Sequence, residues 1–240
     1  MRAMPKTKSD PASPRLPRSD GLEARTRLLH QALRLFAEQG FAKTSTREIA
    51  SAAGANIAAI SYYFGDKAGL YRAAFVEPLG SPKNDIPLYH PEHLSLRQSL
   101  EGLFGGFLEP LQRGEVVQQC MKLHFREMLE PTGLWAEELE HGIKPAHAAL
   151  VDVLRRHLGL TRADDELHRL AFSITAMALQ LYMCPDVIRE IRPALMKGAG
   201  APALWVQRLA DFAESMVAGE AQRRRTTASP ETTLRKKTPT

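Results

Sequence analysis

The chain has 240 residues, a hydrophobic fraction of 44% and a net charge of +5, which suits one protein with a small head and a larger body around a sizeable core. No run of about 18 uncharged apolar residues occurs, which argues against a membrane span. Two isolated cysteines, Cys120 and Cys184, are too few for a disulfide framework or a zinc site and suit a reducing cytosol.

The charge is unevenly placed. Residues 1–19 hold five Lys or Arg against one Asp, and residues 220–240 hold six against two Glu. Both ends read as disordered basic tails, the front one with Arg15 or Arg18 able to reach a minor groove. The front is rich in proline and lysine, lacks an apolar h-region and does not read as a secretory signal. Residues 20–75 carry seven basic and five acidic side chains, and residues 76–219 carry fourteen and nineteen. A basic head on an acidic body matches a protein whose one end meets phosphate.

In chain order, Asp20 and Glu23 spell a capping box that opens a long helix. Its Leu28, Leu29, Ala32, Leu33 and Phe36 recur at helical spacing up to Gly40. Ser45 and Glu48 form a second capping box, predicting a helix from Thr46 to about Ala53 with Ile49, Ala50 and Ala53 on its apolar stripe. Gly54 supplies the left-handed residue that ends it. Asn56 caps the next helix, Ile57 to about Tyr63, in which Ile57 and Ile60 are expected to face inward. Gly65 breaks that helix, and Asp66 caps another carrying Leu70, Ala74 and Phe75. Two short helices around a glycine turn are the layout of a helix-turn-helix, whose second helix enters the DNA major groove.

The long helix, Gly40-Phe41, and a helix-turn-helix ending in Tyr-Tyr-Phe-Gly-Asp-Lys together resemble the N-terminal domain of the TetR family of bacterial transcription regulators, over roughly residues 22–76. The resemblance implies a cytoplasmic, all-α homodimer. It implies binding to a palindromic double-stranded DNA operator, usually as a repressor, and release when a small-molecule effector enters the C-terminal body. Carried over by position, Arg47 contacts phosphate or a base edge, and Ser45 and Thr46 meet a phosphate. Tyr62 and Tyr63 bring hydroxyls to the backbone, and Lys67 holds a phosphate. Asn56, Ala58, Ala59 and Ser61 approach base edges. Many family members have tyrosine where this chain has Ser61. The reading helix is poor in the long polar side chains that make bidentate base contacts. Alanine methyls and Ile57 can still touch thymine methyl groups, so modest direct readout is expected, with shape and phosphate contacts carrying much of the discrimination.

The body reads as helices throughout. A turn-rich linker spans Gly80 to about Pro91, followed by a long amphipathic helix from Leu96 to Leu111. Further helices are predicted at Val116–Leu129, Leu134–Glu140, Lys144–Leu158 with Ala148, Val151 and Leu154 on its face, Asp164–Pro185, Val187–Ile191 and about Ala203–Val217. The helix through residues 170–184 is apolar nearly all round, so it should be buried on more than one side. With the last helix it makes a face able to pair with its copy in a four-helix dimer interface. The organisation expected is therefore an arm (1–19), a DNA-binding head (20–76), a ligand-binding and dimerisation body (77–219) and a basic tail (220–240).

The run from Leu123 to Thr132, Leu-His-Phe-Arg-Glu-Met-Leu-Glu-Pro-Thr, resembles the CecR-like branch of TetR regulators, as do the stretch from Asn56 to Gly65 and the Pro-Ala-His segment at 145–147. That branch implies control of drug-export genes and response to amphipathic toxic compounds. Candidate walls of an effector pocket are Phe107, Met121, His124, Met128, Trp135, Phe172, Met177 and Tyr182, since methionines and aromatics make adaptable apolar surfaces. His124, Arg126 and Glu127 are candidates to orient a polar group, although an internal salt bridge explains Arg126 and Glu127 equally well. An enzyme is disfavoured: His90, His93, His141 and His147 lack HExxH spacing, and no phosphate loop or nucleophile elbow occurs. No metal, cofactor or membrane partner is expected. The rival reading is a dimeric helical adaptor that does not bind DNA specifically.

Overall fold

The computed structural model describes residues 19–228, without the side chains of residues 19, 20, 112, 113 and 228. The front arm, including Arg15 and Arg18, and the last twelve residues lie outside it. Among the described residues there is no strand. The head consists of α1 (Ser19–Lys43), α2 (Thr46–Ala52), α3 (Ala58–Phe64) and α4 (Lys67–Val76). The body consists of α5 (Ile86–Tyr89), α6 (Leu96–Leu108), α7 (Glu115–Leu129), α8 (Leu134–Glu138), α9 (Lys144–His157), α10 (Asp165–Met183), α11 (Pro185–Ile191) and α12 (Ala201–Ala228).

Two apolar cores hold these helices. One gathers Leu28, Leu33 and Phe36 of α1, Ile49 of α2, Ile60 of α3, and Leu70 and Phe75 of α4, and is completed by Cys120 and Leu123 of α7 and Leu134 of α8. The other packs α5, α6, α9, α10 and α12 together. The covering of the head core by α7 and α8 was not visible in the sequence pattern. Residue 77 ends the head's run of helices, but not its packing.

The first helix breaks at Gly40 as expected, where the backbone is non-helical (φ 82°, ψ 169°), and a short helical stretch then continues to Lys43. The positive φ favours glycine, and a β-carbon there would press to 3.2 Å from Nη1 of Arg126. Several expectations are corrected. The 80–91 stretch is not a linker: a 3₁₀ turn (Pro82–Asp85) and α5 fold it into the body. Tyr89 is buried there and donates to the Ala146 carbonyl at 3.0 Å. A 3₁₀ turn at Glu109–Arg113 ends the helix predicted to reach Leu111. Ala148 points outward, and the buried positions of α9 are Ala149, Leu150, Val151, Val153 and Leu154. A capping box missed in the sequence, Ser95 with Gln98, starts α6.

The largest correction is at the back tail, whose first nine residues are helical rather than disordered. α12 runs to Ala228 because its basic run is neutralised from both sides. Arg224 forms a two-point ion pair with Asp164 (2.7 and 2.8 Å) and also pairs with Glu220. Asp164 also caps α10 by accepting from the Leu167 N–H. The Arg224 guanidinium and that N–H hold the Asp164 carboxyl far below the usual carboxylate range. Near the middle of α12, Arg97 of α6 pairs with Asp211 and Glu214.

α10 is likewise not buried all round. Phe172, Leu179 and Met183 face outward on it, and Leu204 and Phe212 do so on α12. No single described helix is long and apolar enough to cross a membrane. The α10–α11 pair passes that test jointly by length and composition alone, and it bends by 76°.

Candidate DNA interface and its link to the body

The helix-turn-helix forms as its caps dictate. Ser45 Oγ accepts from the Glu48 N–H at 3.1 Å, but only half of the capping box is present, because Glu48 instead accepts from Gln39 Nε2 of α1 at 2.8 Å. Gly54 takes the left-handed conformation (φ 59°) between α2 and α3. Asn56 Oδ1 accepts from the Ala58 N–H at 2.9 Å, and Asp66 Oδ1 from the Gly69 N–H at 2.7 Å. Arg27 Nε donates to the Ala53 carbonyl at 3.3 Å, a brace between α1 and the turn that no spacing signal announces.

The side chains expected at DNA lie on two surfaces. Ser45 and Arg47 are exposed at the start of α2, with Thr46 half-buried. Lys43, exposed two residues before Ser45, adds a charge at this edge that the motif does not include. Asn56, just before α3, and Ala58, Ser61 and Tyr62 on it are exposed (Tyr62 by 81%), whereas Ala59 and Tyr63 are half-buried and pack on the head core. The Tyr63 hydroxyl lies against Gly21 of α1. Ile60 is 2% exposed as expected, but Ile57 is 48% exposed and belongs to the outer face. Lys67 rests its ammonium over the Phe41 ring, 4.5 Å from the centroid. Such contacts are worth about 0.5–1 kcal/mol at exposed sites, little enough for a phosphate to draw the side chain away.

The ten residues expected to form one effector pocket do not converge. Phe107, Met177 and Tyr182 pack partly buried against the body core, and Phe172 is 61% exposed. Met121 is half-buried and Met128 exposed on α7. His124, Arg126, Glu127 and Trp135 lie at the junction of head and body, where three of them have definite structural partners. Arg126 donates to the Ala37 and Glu38 carbonyls of α1 (3.4 and 3.1 Å), just before the Gly40 kink, and pairs with Glu130. Carbonyls at such a helix break lack intrahelical partners, so the guanidinium takes their place. Arg126 and Glu127 do not pair with each other.

Glu127 is fully buried (0% exposed), which an isolated carboxylate could not tolerate. Its oxygens accept from the Tyr71 hydroxyl of α4 (2.8 Å), from Thr132 N (2.7 Å) and Oγ1 (2.9 Å), and from Gly133 N (3.0 Å) and Leu134 N (3.1 Å). The carboxylate thus caps the start of α8 and fastens it to α4. Burial, and then the bond to Glu127, push the Tyr71 phenol well above its usual range. Arg72 of α4 pairs with Glu137 of α8, and Arg25 of α1 makes a two-point ion pair with Glu77 (2.7 and 2.9 Å).

His124 stacks on Phe75 of α4 (centroids 4.0 Å apart) while its Nδ1–H donates to the Cys120 carbonyl at 2.8 Å. Burial lowers its pKa below the ordinary imidazole value, outweighing that hydrogen bond. The unfolded chain therefore binds the proton more readily than the fold. Stability contributed by the neutral ring is complete above the unfolded-state value of about 6.5 and declines as pH falls below it. Urea denaturation at stepped pH should show this loss in the wild type and a smaller loss in His124→Phe.

Two cavities open nearby. One of about 320 Å³ lies between Leu79, Asp85, Leu88, Gly105, Gly106, Glu109 and Pro110. The other, about 110 Å³, lies at the head–body junction between Arg72, Phe75 and Val76 of α4 and Leu134, Glu137, Glu138 and His141. None of the ten expected residues lines either one.

Comparison with known proteins agrees with this geometry. Residues 28–74 match the family described as bacterial regulatory proteins, tetR family, and residues 96–220 match the HTH-type transcriptional dual regulator CecR, C-terminal domain. The chain belongs to the TetR family. It is 30% identical over 174 residues to the HTH-type transcriptional dual regulator CecR of Shigella flexneri, covering 66% of this chain and 77% of that protein. Its fold is shared with a bacterial regulatory protein of the tetR family from Rhodococcus RHA1 (TM-score 0.58, 16% identity, 81% of this chain and 96% of that one). It is shared too with the TetR family regulator PfmR from Thermus thermophilus (TM-score 0.54, 20% identity, 78% and 96%). The protein is a DNA-binding transcriptional regulator of this family and not an enzyme.

Proposed function

We propose that this TetR regulator works in the bacterial cytoplasm as a homodimeric repressor that grips a palindromic operator and lets go when a small amphipathic molecule binds the body. Residues 20–76 serve as the DNA-binding head and residues 77–219 as the sensing and dimerising body. The observation that carries the reading is the face of α3, exposed at Ala58, Ser61 and Tyr62, together with Arg47 at the start of α2 and Lys67 at the start of α4. The exposed apolar stripes of α10 and α12 support pairing with a second copy, and two copies would place two reading helices about one DNA turn, roughly 34–36 Å, apart.

Release would run through the junction. There α4 meets α7 and α8 through Tyr71–Glu127, Phe75–His124 and Arg72–Glu137, and α1 meets α7 through Arg126, so the head joins the body at more than one helix. The junction cavity of about 110 Å³ is smaller than the roughly 300 Å³ at which ligand sites begin. An effector seated there would widen it, part α4 from α8 and alter the spacing of the heads. Such a ligand must prefer the widened state to the DNA-bound one. Control of drug-export genes is the role that the CecR-like resemblance favours.

The test is titration of the protein against DNA upstream of its own gene, with a scrambled duplex as control and salt varied. Tight binding of one dimer to the first duplex only supports the reading, and equal weak binding to both counts against that operator. Arg47→Ala and Lys67→Ala should each lower affinity for both duplexes and reduce the salt slope by about one for every phosphate left unneutralised. Unchanged affinity and slope would remove these residues from the interface.

A further inference from the structure

The outward face of α3 carries almost nothing that can hydrogen-bond a base pair selectively. Ala58, Ser61 and Tyr62 compose it, with Ile57 exposed at the residue just before the helix, while Ile60 is buried. It bears no charge, and the one amide nearby, Asn56, has its oxygen committed to the Ala58 N–H. Hydroxyls such as Ser61 accept from and donate to several bases alike. What stands out is the 48% exposed isoleucine on the surface that meets DNA, although the head core has a place for Ile60 three residues on. In the major groove one base-pair feature rewards an apolar side chain, the 5-methyl group of thymine.

We infer that Ile57, assisted by Ala58, is a specificity residue that reads a thymine methyl in each half-site. The inference rests on the head binding DNA through α3. Removing one methyl from an apolar contact weakens binding about fourfold, and about fifteenfold when both half-sites lose it. Exposure of Ile57 means that shortening it leaves the head core intact.

The experiment begins by selecting the best duplex for the full-length protein from a random-sequence pool. That duplex is resynthesised with deoxyuridine replacing thymidine, one symmetric pair at a time, and with 5-methylcytosine replacing cytosine at the pairs where the preferred thymine is exchanged for cytosine. At one symmetric pair, uracil should cost the wild type about fifteenfold, and 5-methylcytosine should bind better than cytosine. Ile57→Ala should bind the thymine and uracil forms equally while keeping the wild-type melting temperature, and Ile57→Val should restore part of the difference. Selected half-sites without thymine, indifference to uracil at every position, or an undiminished uracil penalty in Ile57→Ala would each overturn the inference and leave operator binding standing. Failure to enrich any sequence would instead overturn the operator reading, and the inference with it.

Discussion

Replacing Glu127 with alanine is expected to destabilise the protein by about 3–5 kcal/mol, an effect large enough to threaten folding at ordinary temperatures. The carboxylate accepts from a phenol, a threonine hydroxyl and three backbone N–H groups, all grouped around a fully buried position. Deleting it leaves those donors without their shared acceptor, and each orphaned donor costs about 1–3 kcal/mol before relaxation. Tyr71→Phe, which removes one donor and keeps the ring packed on Phe36, should cost only about 1–2 kcal/mol. Urea denaturation of the two variants gives the comparison directly. A Glu127→Ala loss no larger than that of Tyr71→Phe would mean that the backbone donors find other partners.

Charging the exposed stripes should separate the dimer without unfolding the protomer. Leu179→Glu on α10 combined with Leu204→Glu on α12 places two carboxylates per copy on the face proposed to meet its mate. Both side chains are already exposed in the single chain, so substitution removes little from the protomer core. Across a two-fold interface the four added charges would lie in a desolvated patch whose nearby cation, Arg208, is already paired with Asp211, which costs several kcal/mol. Sedimentation should show a monomer with the wild-type melting profile. Operator affinity should fall by about 10²–10⁴, because the second head no longer binds as a tethered partner. A variant that still sediments as a dimer would move the interface elsewhere.

Most of the head could be read from its letters because short helices announce themselves through caps. Ser45, Asn56 and Asp66 each accept the hydrogen bond their spacing promised, and Gly54 turns where it should. The assignment of Ile57 failed for a reason inherent in such reading. Periodicity places an isoleucine on whichever side its apolar neighbours favour, and in a seven-residue helix a single position shifts that side. The roles of Arg126 and Glu127 were illegible because their partners lie 88 and 56 positions away, or belong to a backbone turn. A charged pair on one helix invites the idea of mutual neutralisation, whereas here the two point to different elements. The helical start of the basic tail was hidden likewise, since Asp164, the anion that steadies Arg224, lies 60 positions earlier.

The sharing of one core between α1–α4 and the inner sides of α7 and α8 bears on how such proteins can be recombined. A chimera cut at residue 77 would join Tyr71 and Phe75 to a foreign α7 and α8, and foreign side chains would have to fill the places of Leu123, Glu127 and Leu134. On the proposed reading, new operator preferences would be grafted by exchanging the exposed face of α3 alone. New sensing bodies cannot be swapped in whole unless the junction side chains travel with the head they cover. If α3 reads the operator as proposed, operator choice would be the easily exchanged property of this architecture, and the proposed responsiveness would be inherited together with the seam.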